Sequence, residues 1–554
     1  MKLYACVFCL AAVALFWPAS GMRWAPAIAR WLDTLGKHRR ACVLGIAVLS
    51  LLTSFGWNLV LKTPAPRVHD EFGYLLEADT FAHGRLKNPT PPMWTHFETF
   101  HEFFQPAYMS KFPPAQGAAL ALGQLIAKPI TGVWLTTAFA YAAILWMLLA
   151  WLPPRWALPV SLLLLLNPAI LMWNWMYWGG SIALGAGALV LGSYRRLADP
   201  ACHESRISTG ILAGIGMGLL ALSRPYEGFV LSVTVIALLL FDLARTRRLS
   251  GLWAAAAPAV AMVALAGGFI LFYNKSITGH ALLMPYVLYE RTYDAAPLFL
   301  WQKLPPIPGI LPSAMHDFYL GARAYAGSQQ TLAGFCHAAW GKLLSFGPLF
   351  WDGAALIFLA AAPLAVRRDP WLWRAGFILL ASAGAIAFSN YVFPHYVAPA
   401  LPLVFVLLGV CMQRVWRWKL RNRPAGAFFV TAMVLLLALY AASFFYIRQS
   451  KNQNGANWGY WRNQIISGLA RDGHKHLVLI RYSSGHDLNQ EWVYNAAELD
   501  GAPILWARDL GPERNRELLD YYKDRAVWLF NPDTDAKPQA CPRDTASKIG
   551  EGSI

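Results

Sequence analysis

An aspartate–glutamate pair, Asp70-Glu71, opens the long polar loop from Arg67 to Gly117, directly after a strongly apolar run. If a helix starts there, Asp70, Tyr74 and Glu77 share one face at i, i+4 and i+7. A carboxylate at a membrane edge is partly desolvated, which lifts its pKa toward that of a working general base. The plainer alternative is a helix cap, because an acidic residue suits a helix start. His96, Glu98, His101 and Glu102, in HFETFHE, form a loose ligand-like group without the HExxH order, and serve equally as interfacial polar residues. Lys111 precedes Pro113-Pro114, and a lysine beside a lipid headgroup is a natural counter-charge for phosphate. Its alternative is an ordinary solvated or snorkelling ammonium.

Further along, Arg224 in SRPYEG is a lone cation between two apolar runs, suited to a phosphate or to a local pair with Glu227. Asp352, in GPLFWDGAAL, enters an apolar run by a turn or two, as an end cap or as a cavity-lining acid. Asn174, Trp175 and Tyr177 read as an aromatic belt with a turn, and less readily as a sugar platform. The 274–342 segment, with Tyr286, Glu290, Asp294 and His316, is long enough for a structured flap that selects the acceptor.

These residues need a scaffold, and the composition names its class. Of 554 residues, 57% are hydrophobic and only 14% charged, against roughly 25% in soluble proteins. This is a polytopic membrane protein. The formal charge of +17 sits in short clusters between apolar runs, so it reads as topology and not as nucleic-acid binding. Twelve spans are expected: 3–20, 41–61, 130–152, 156–173, 180–197, 208–223, 229–244, 251–273, 343–365, 373–391, 396–413 and 426–446. Arg195, Arg196, Arg245, Arg248, Arg367, Arg368, Arg414 and Arg421 then fall on one side, the inner one. Segments 62–129, 274–342 and 447–554 fall outside. The first 20 residues, ending in Pro18-Ala19-Ser20, resemble a signal peptide. Cleavage would leave Arg23 to Arg40 outside, so an uncleaved helix is expected. The cysteines show no CxxC or zinc spacing, and only Cys336 and Cys541 suit a pairing outside.

The expected layout is a hydrophobic helix and basic segment at 1–40, a transmembrane domain at 41–446, an α/β domain at 447–535 and a flexible tail at 536–554. Runs 476–482, 502–510 and 526–533 have strand character, and Pro512 starts a helix. Strands alternating with helices imply a small parallel sheet.

The stretch DEFGYLLEADTFAHGRL, followed by Tyr108-x-x-Lys111-x-Pro-Pro, resembles the first outer loop of GT-C membrane glycosyltransferases. The closest branches are the protein-mannosyltransferase-like and aminoarabinose-transferase-like ones, of family 39 type. The PHYVAPALP stretch resembles their Arg-Tyr-x-x-Pro-x-x-Pro element, with His395 in place of arginine and Tyr396 retained. Phe112 also separates Lys111 from the proline pair. The resemblance implies a GT-C fold of about 11–12 membrane helices in a bacterial inner membrane, with the site and the α/β domain periplasmic. It implies an inverting transfer of a hexose or pentose from a polyprenyl-phosphate donor to a glycolipid, polysaccharide or protein acceptor. Asp70 would then be the base, and Glu71 would position Asp70 or the acceptor. Lys111, Arg224 and His395 would face the phosphate, and Tyr74, Glu77, Tyr108 and Tyr396 the substrate. A divalent metal, Mg or Mn, stays open. The main alternative is a secondary transporter or lipid flippase, which the missing internal repeat disfavours. A non-catalytic assembly or sensor protein is a third reading, and a ligase or polymerase using a diphosphate-linked donor a fourth.

Overall fold

The computed structural model describes residues 2–16, 25–202, 204–308, 311–363, 367, 369–420, 422–453 and 457–543. Pro18 to Ser20, Arg23, Arg368, Arg421 and the tail beyond residue 543 lie outside the described residues. Most of the chain is a helical bundle. Among the described residues, six helices are long and apolar enough to cross a membrane: Arg39–Val60, Pro129–Trp151, Pro225–Arg245, Trp253–Thr278, Pro370–Ala387 and Ala425–Lys451. Shorter apolar helices at Leu3–Val13, Arg206–Ala221 and Leu401–Trp416 join them, as does the buried helix Gly180–Ala198.

Two expected spans are not continuous helices. The run 156–173 breaks into Pro154–Leu164 and Pro168–Trp173. Pro168 has no N–H and disfavours helix at the residue before it, so Asn167 becomes a cap. Its side chain accepts from Ala169 N at 3.1 Å and Ile170 N at 3.2 Å, and donates to Leu349 O at 2.9 Å. The run 343–365 departs further. The helix Leu332–Ser345 ends, and the 3-10 turn Gly347–Phe350 and the four-residue helix Leu356–Leu359 follow. Trp351, Asp352 and Gly353 all take positive φ there, a conformation that ends a helix. Asp352 is no lone charge, because Tyr440 donates to its carboxylate and Tyr4 to its carbonyl.

The end of the bundle that carries Asp70 is capped by the first loop and the C-terminal residues. A two-stranded hairpin, Glu102–Phe103 with Met109–Ser110, closes the first loop. Three parallel strands, Ile504–Arg508, His476–Ile480 and Ala526–Phe530, lie in that order, with antiparallel Gln539–Ala540 on the outer edge. Their apolar runs suit a sheet covered on both faces, by Trp458–Leu469 and Pro512–Tyr521 among others. These strands and the helix at Pro512 fall where the sequence places them. Cys336 and Cys541 do not pair; both are free.

The first loop and this α/β unit share one core. Leu76, Phe97, Phe104 and Tyr108 pack with Leu477, Leu505 and Leu518. Polar ties reinforce the join. Ala497 N donates to Asp79 Oδ2 at 2.8 Å, Arg508 Nε to Glu98 O at 2.7 Å, and Arg85 pairs with Glu498.

Candidate active site

The helix His69–Ala82 forms the first wall of the site. Its N-cap is Val68, which has no side chain able to cap, so the free N–H groups need another acceptor. Glu71 supplies it. Oε2 accepts from Arg67 N at 2.9 Å and Val68 N at 3.3 Å, and Oε1 accepts from Tyr177 N at 3.0 Å. Glu71 is therefore the capping carboxylate, buried and fully engaged, and it also pins the turn containing Tyr177. That job leaves Asp70 free.

Asp70 keeps 36% of its side chain exposed and faces His101, whose Nε2 lies 3.8 Å from Oδ2. It closes no salt bridge with Lys or Arg among the described residues. Burial of its surroundings raises its pKa above the usual carboxylate value, against the opposing fields of Lys111 and Arg224. A part-exposed carboxylate with an elevated pKa and no Lys or Arg partner is suited to taking a proton.

Arg224 sits at the start of the helix Pro225–Arg245. Its guanidinium lies over the Tyr396 ring at 4.4 Å, with no ion pair among the described residues. The Tyr396 segment is brought in by a close approach of backbones. A Cβ on Gly187 would stand 1.9 Å from Pro399 O, so only glycine fits there. Neighbouring His395 is buried against Trp178, ring centres 4.6 Å apart. Burial, and then the nearby Arg224, hold its pKa well below the ordinary value and favour the neutral ring. That direction argues against a fixed positive charge on His395.

Lys111 is not free either. Its Nζ lies 2.9 Å from Glu290 Oε1 and over the rings of Tyr286 and Tyr289, at 4.6 and 4.5 Å. Glu290 and both tyrosines come from the helix Pro285–Tyr293, so the 274–342 segment does fold down over the site. Asp294 follows that helix, and burial beside Glu290 raises its pKa. Tyr286, Tyr289, Glu290 and Tyr293 recur at one-face helical spacing, a signal by which sequence reasoning could have named the flap's contact residues.

Tyr74 stacks on Phe112 at 4.4 Å and, with Arg224 and Asp70, lines the centre. Glu77 is fully buried one turn behind. Tyr273 donates to its Oε1 at a long 3.5 Å, and Oε2 has no partner. Burial raises its pKa well above the usual range. Tyr108 is elsewhere: it is buried in the join with the α/β unit, and its hydroxyl reaches Asn495 O at 3.3 Å. It is a packing residue and not a substrate contact.

His96, Glu98, His101 and Glu102 do not converge. No group of three or more His, Cys, Asp or Glu able to hold a metal ion occurs among the described residues. Asp70 and His101, with cationic Lys111 and Arg224 nearby, do not make a donor set for Mg or Mn.

An apolar groove of about 680 Å³ runs down the bundle beside this centre. Ala118, Leu122, Leu135, Phe139, Leu219 and Phe269 line it, and it reaches Leu222, two residues from Arg224.

No family model and no curated protein sequence matches the chain. Solved structures do. ArnT from Cupriavidus metallidurans, bound to undecaprenyl phosphate, superposes with a TM-score of 0.52 at 13% identity, over 89% of this chain and 93% of that one. The same protein in its apo state gives 0.53 at 13% identity, over 89% and 92%. The chain has the GT-C fold. The oligosaccharyltransferase of Archaeoglobus fulgidus is a looser likeness, with a TM-score of 0.44 at 13% identity over 88% of this chain and 69% of that one.

Proposed function

We propose that the protein is an inverting glycosyltransferase that moves a hexose or pentose from a polyprenyl-phosphate donor to an envelope acceptor. The observation that carries this reading is the part-exposed Asp70 carboxylate, in no ion pair with Lys or Arg among the described residues, its pKa raised by burial and opposed by the fields of Lys111 and Arg224. The shared fold of ArnT, a protein that binds undecaprenyl phosphate, supports the donor class. The adjoining groove offers an apolar bed for a polyprenyl chain.

In this reading the acceptor hydroxyl gives its proton to Asp70 as its oxygen bonds to the anomeric carbon. The bond from that carbon to the phosphate oxygen breaks, and the electron pair leaves on polyprenyl phosphate. Attack opposite the leaving group inverts the anomeric centre. Arg224 stabilises the charge that grows on the phosphate. Lys111, already balanced by Glu290, holds the flap helix over the site and contributes less to the phosphate. Tyr74 and Tyr396 frame the sugar, and Glu71 fixes the helix start that presents Asp70. The acceptor is a glycolipid, polysaccharide or protein. The face carrying the first loop and the α/β unit is the periplasmic side of a bacterial inner membrane, consistent with the arginine-rich short loops at the opposite end.

The test is reconstitution with a panel of polyprenyl-phosphate sugars and envelope extract. Release of lipid monophosphate with an inverted sugar product supports the proposal. Release of lipid diphosphate, or retention of configuration, overturns it.

A further inference from the structure

His101 is one of only five non-glycine residues with positive φ among the described residues, at +66°. An L-residue is held there only when its surroundings over-determine it, and such strain gathers at functional sites. Here the restraints come from the site itself. The His101 N–H donates to the Tyr289 hydroxyl at 2.8 Å, and its carbonyl accepts from Lys111 N at 3.0 Å. Phe112, Tyr289 and His69 box the ring, with centres 5.5, 5.9 and 5.9 Å away. Its Nδ1 has no partner, and its Nε2 is the atom turned to Asp70.

His69 makes a useful contrast. Both of its ring nitrogens are engaged, Nδ1 with the Tyr494 hydroxyl at 2.8 Å and Nε2 with Leu488 O at 3.0 Å. That ring is a structural tie to the α/β unit. The His101 ring has no such tie, and its strained backbone serves to aim it.

We propose that His101 is a positioning residue, whose Nε2–H orients the Asp70 carboxylate to receive the acceptor proton. Burial, Lys111 and His69 keep the imidazole neutral, so it acts as a hydrogen-bond donor and not as an ion. The 3.8 Å separation closes by about 1 Å when substrate binds, as catalytic hydrogen bonds commonly tighten in the complex. The inference rests on Asp70 being the base.

Two variants test it, both compatible with positive φ: His101→Asn and His101→Gly. The groups facing Asp70 and His101 from neighbouring elements, Lys111, Arg224 and His69, remain in place. The expected result is a kcat lowered about 100-fold, the scale of an angstrom's misplacement, with donor KM unchanged. The acidic limb of kcat/KM moves to higher pH, because the Asp70 carboxylate loses a donor to its charged form. Free imidazole restores part of the rate to His101→Gly. An unmoved acidic limb without imidazole rescue overturns the inference, whatever happens to KM. Asp70→Asn, measured alongside, separates the two levels. If Asp70→Asn stays active, the reading of the whole site fails. If it is dead while both His101 variants match wild type, only this inference fails.

Discussion

Replacing Lys111 by methionine removes one half of a buried ion pair. The two charged atoms lie 2.9 Å apart, with the side chains only 5% and 11% exposed, so solvent screens the pair little. Leaving Glu290 uncompensated beside Asp294 costs about 3–5 kcal/mol, the usual penalty for breaking a buried pair from one side. Loss of the contacts with Tyr286 and Tyr289 adds about 1–2 kcal/mol. Adding Glu290→Gln removes the stranded charge, and the double variant regains about 2–3 kcal/mol of coupling. Thermal unfolding of the four members of this cycle in lipid nanodiscs reads the coupling directly. Activity adds a second readout. Lys111 is the largest charge effect lowering the Asp70 pKa, so its removal raises that pKa further. The base must be ionised to act, so the acidic limb of kcat/KM shifts to higher pH in Lys111→Met. A stable single variant whose only defect is a higher donor KM, with no recovery in the double, would refute this reasoning. Lys111 would then be a phosphate ligand and not a flap anchor.

Three further outcomes follow from the same geometry. Glu77 is protonated in the fold at pH values where the unfolded chain has ionised it, so its stability contribution is full below the ordinary carboxylate pKa and declines as pH rises toward its elevated value. Melting curves from pH 5 to 9 should therefore show wild type losing stability relative to Glu77→Gln as pH rises; parallel curves would contradict this. Gly117→Ala would place a Cβ 2.4 Å from Glu77 Cβ and 2.5 Å from Oε2. It should cost about 1–3 kcal/mol by overpacking, read from the same melting experiment. Arg224→Gln should lower kcat by about 10²–10³-fold, the typical effect of removing one transition-state charge stabiliser, without changing the melting temperature by more than a few degrees.

How much of this was legible in the sequence depends on the range of each interaction. Most of the spans, the parallel strands and the Asp70-Glu71 pair at a helix start follow from local periodicity and composition. The division of labour within that pair does not, because Glu71 is committed by Tyr177 N, 106 residues away. Lys111 reads as a free cation until Glu290 arrives from 179 positions downstream. His395 sits where the family pattern expects a cation, and its burial against Trp178, which favours a neutral ring, is not a local property of the sequence. The run 343–365 is apolar enough for a span, but hydropathy does not report three consecutive residues with positive φ. Tyr108 fits a substrate motif by spacing, whereas the α/β unit that buries it lies almost 400 residues away; Asn495 is 387 positions on. His101 was visible only as part of a metal-like cluster, since neither its backbone strain nor its approach to Asp70 is a local property.

The central claim is that Asp70 removes the acceptor proton. Its most direct test is single-turnover release of polyprenyl phosphate by Asp70→Asn in proteoliposomes, with wild type and Glu71→Gln beside it. Loss of a general base predicts a drop of about 10²–10⁴-fold in the chemical step for Asp70→Asn, with donor binding retained. Glu71→Gln, acting through helix capping, should lose stability first and rate second. Folded Asp70→Asn protein that releases polyprenyl phosphate at the wild-type rate would contradict the account.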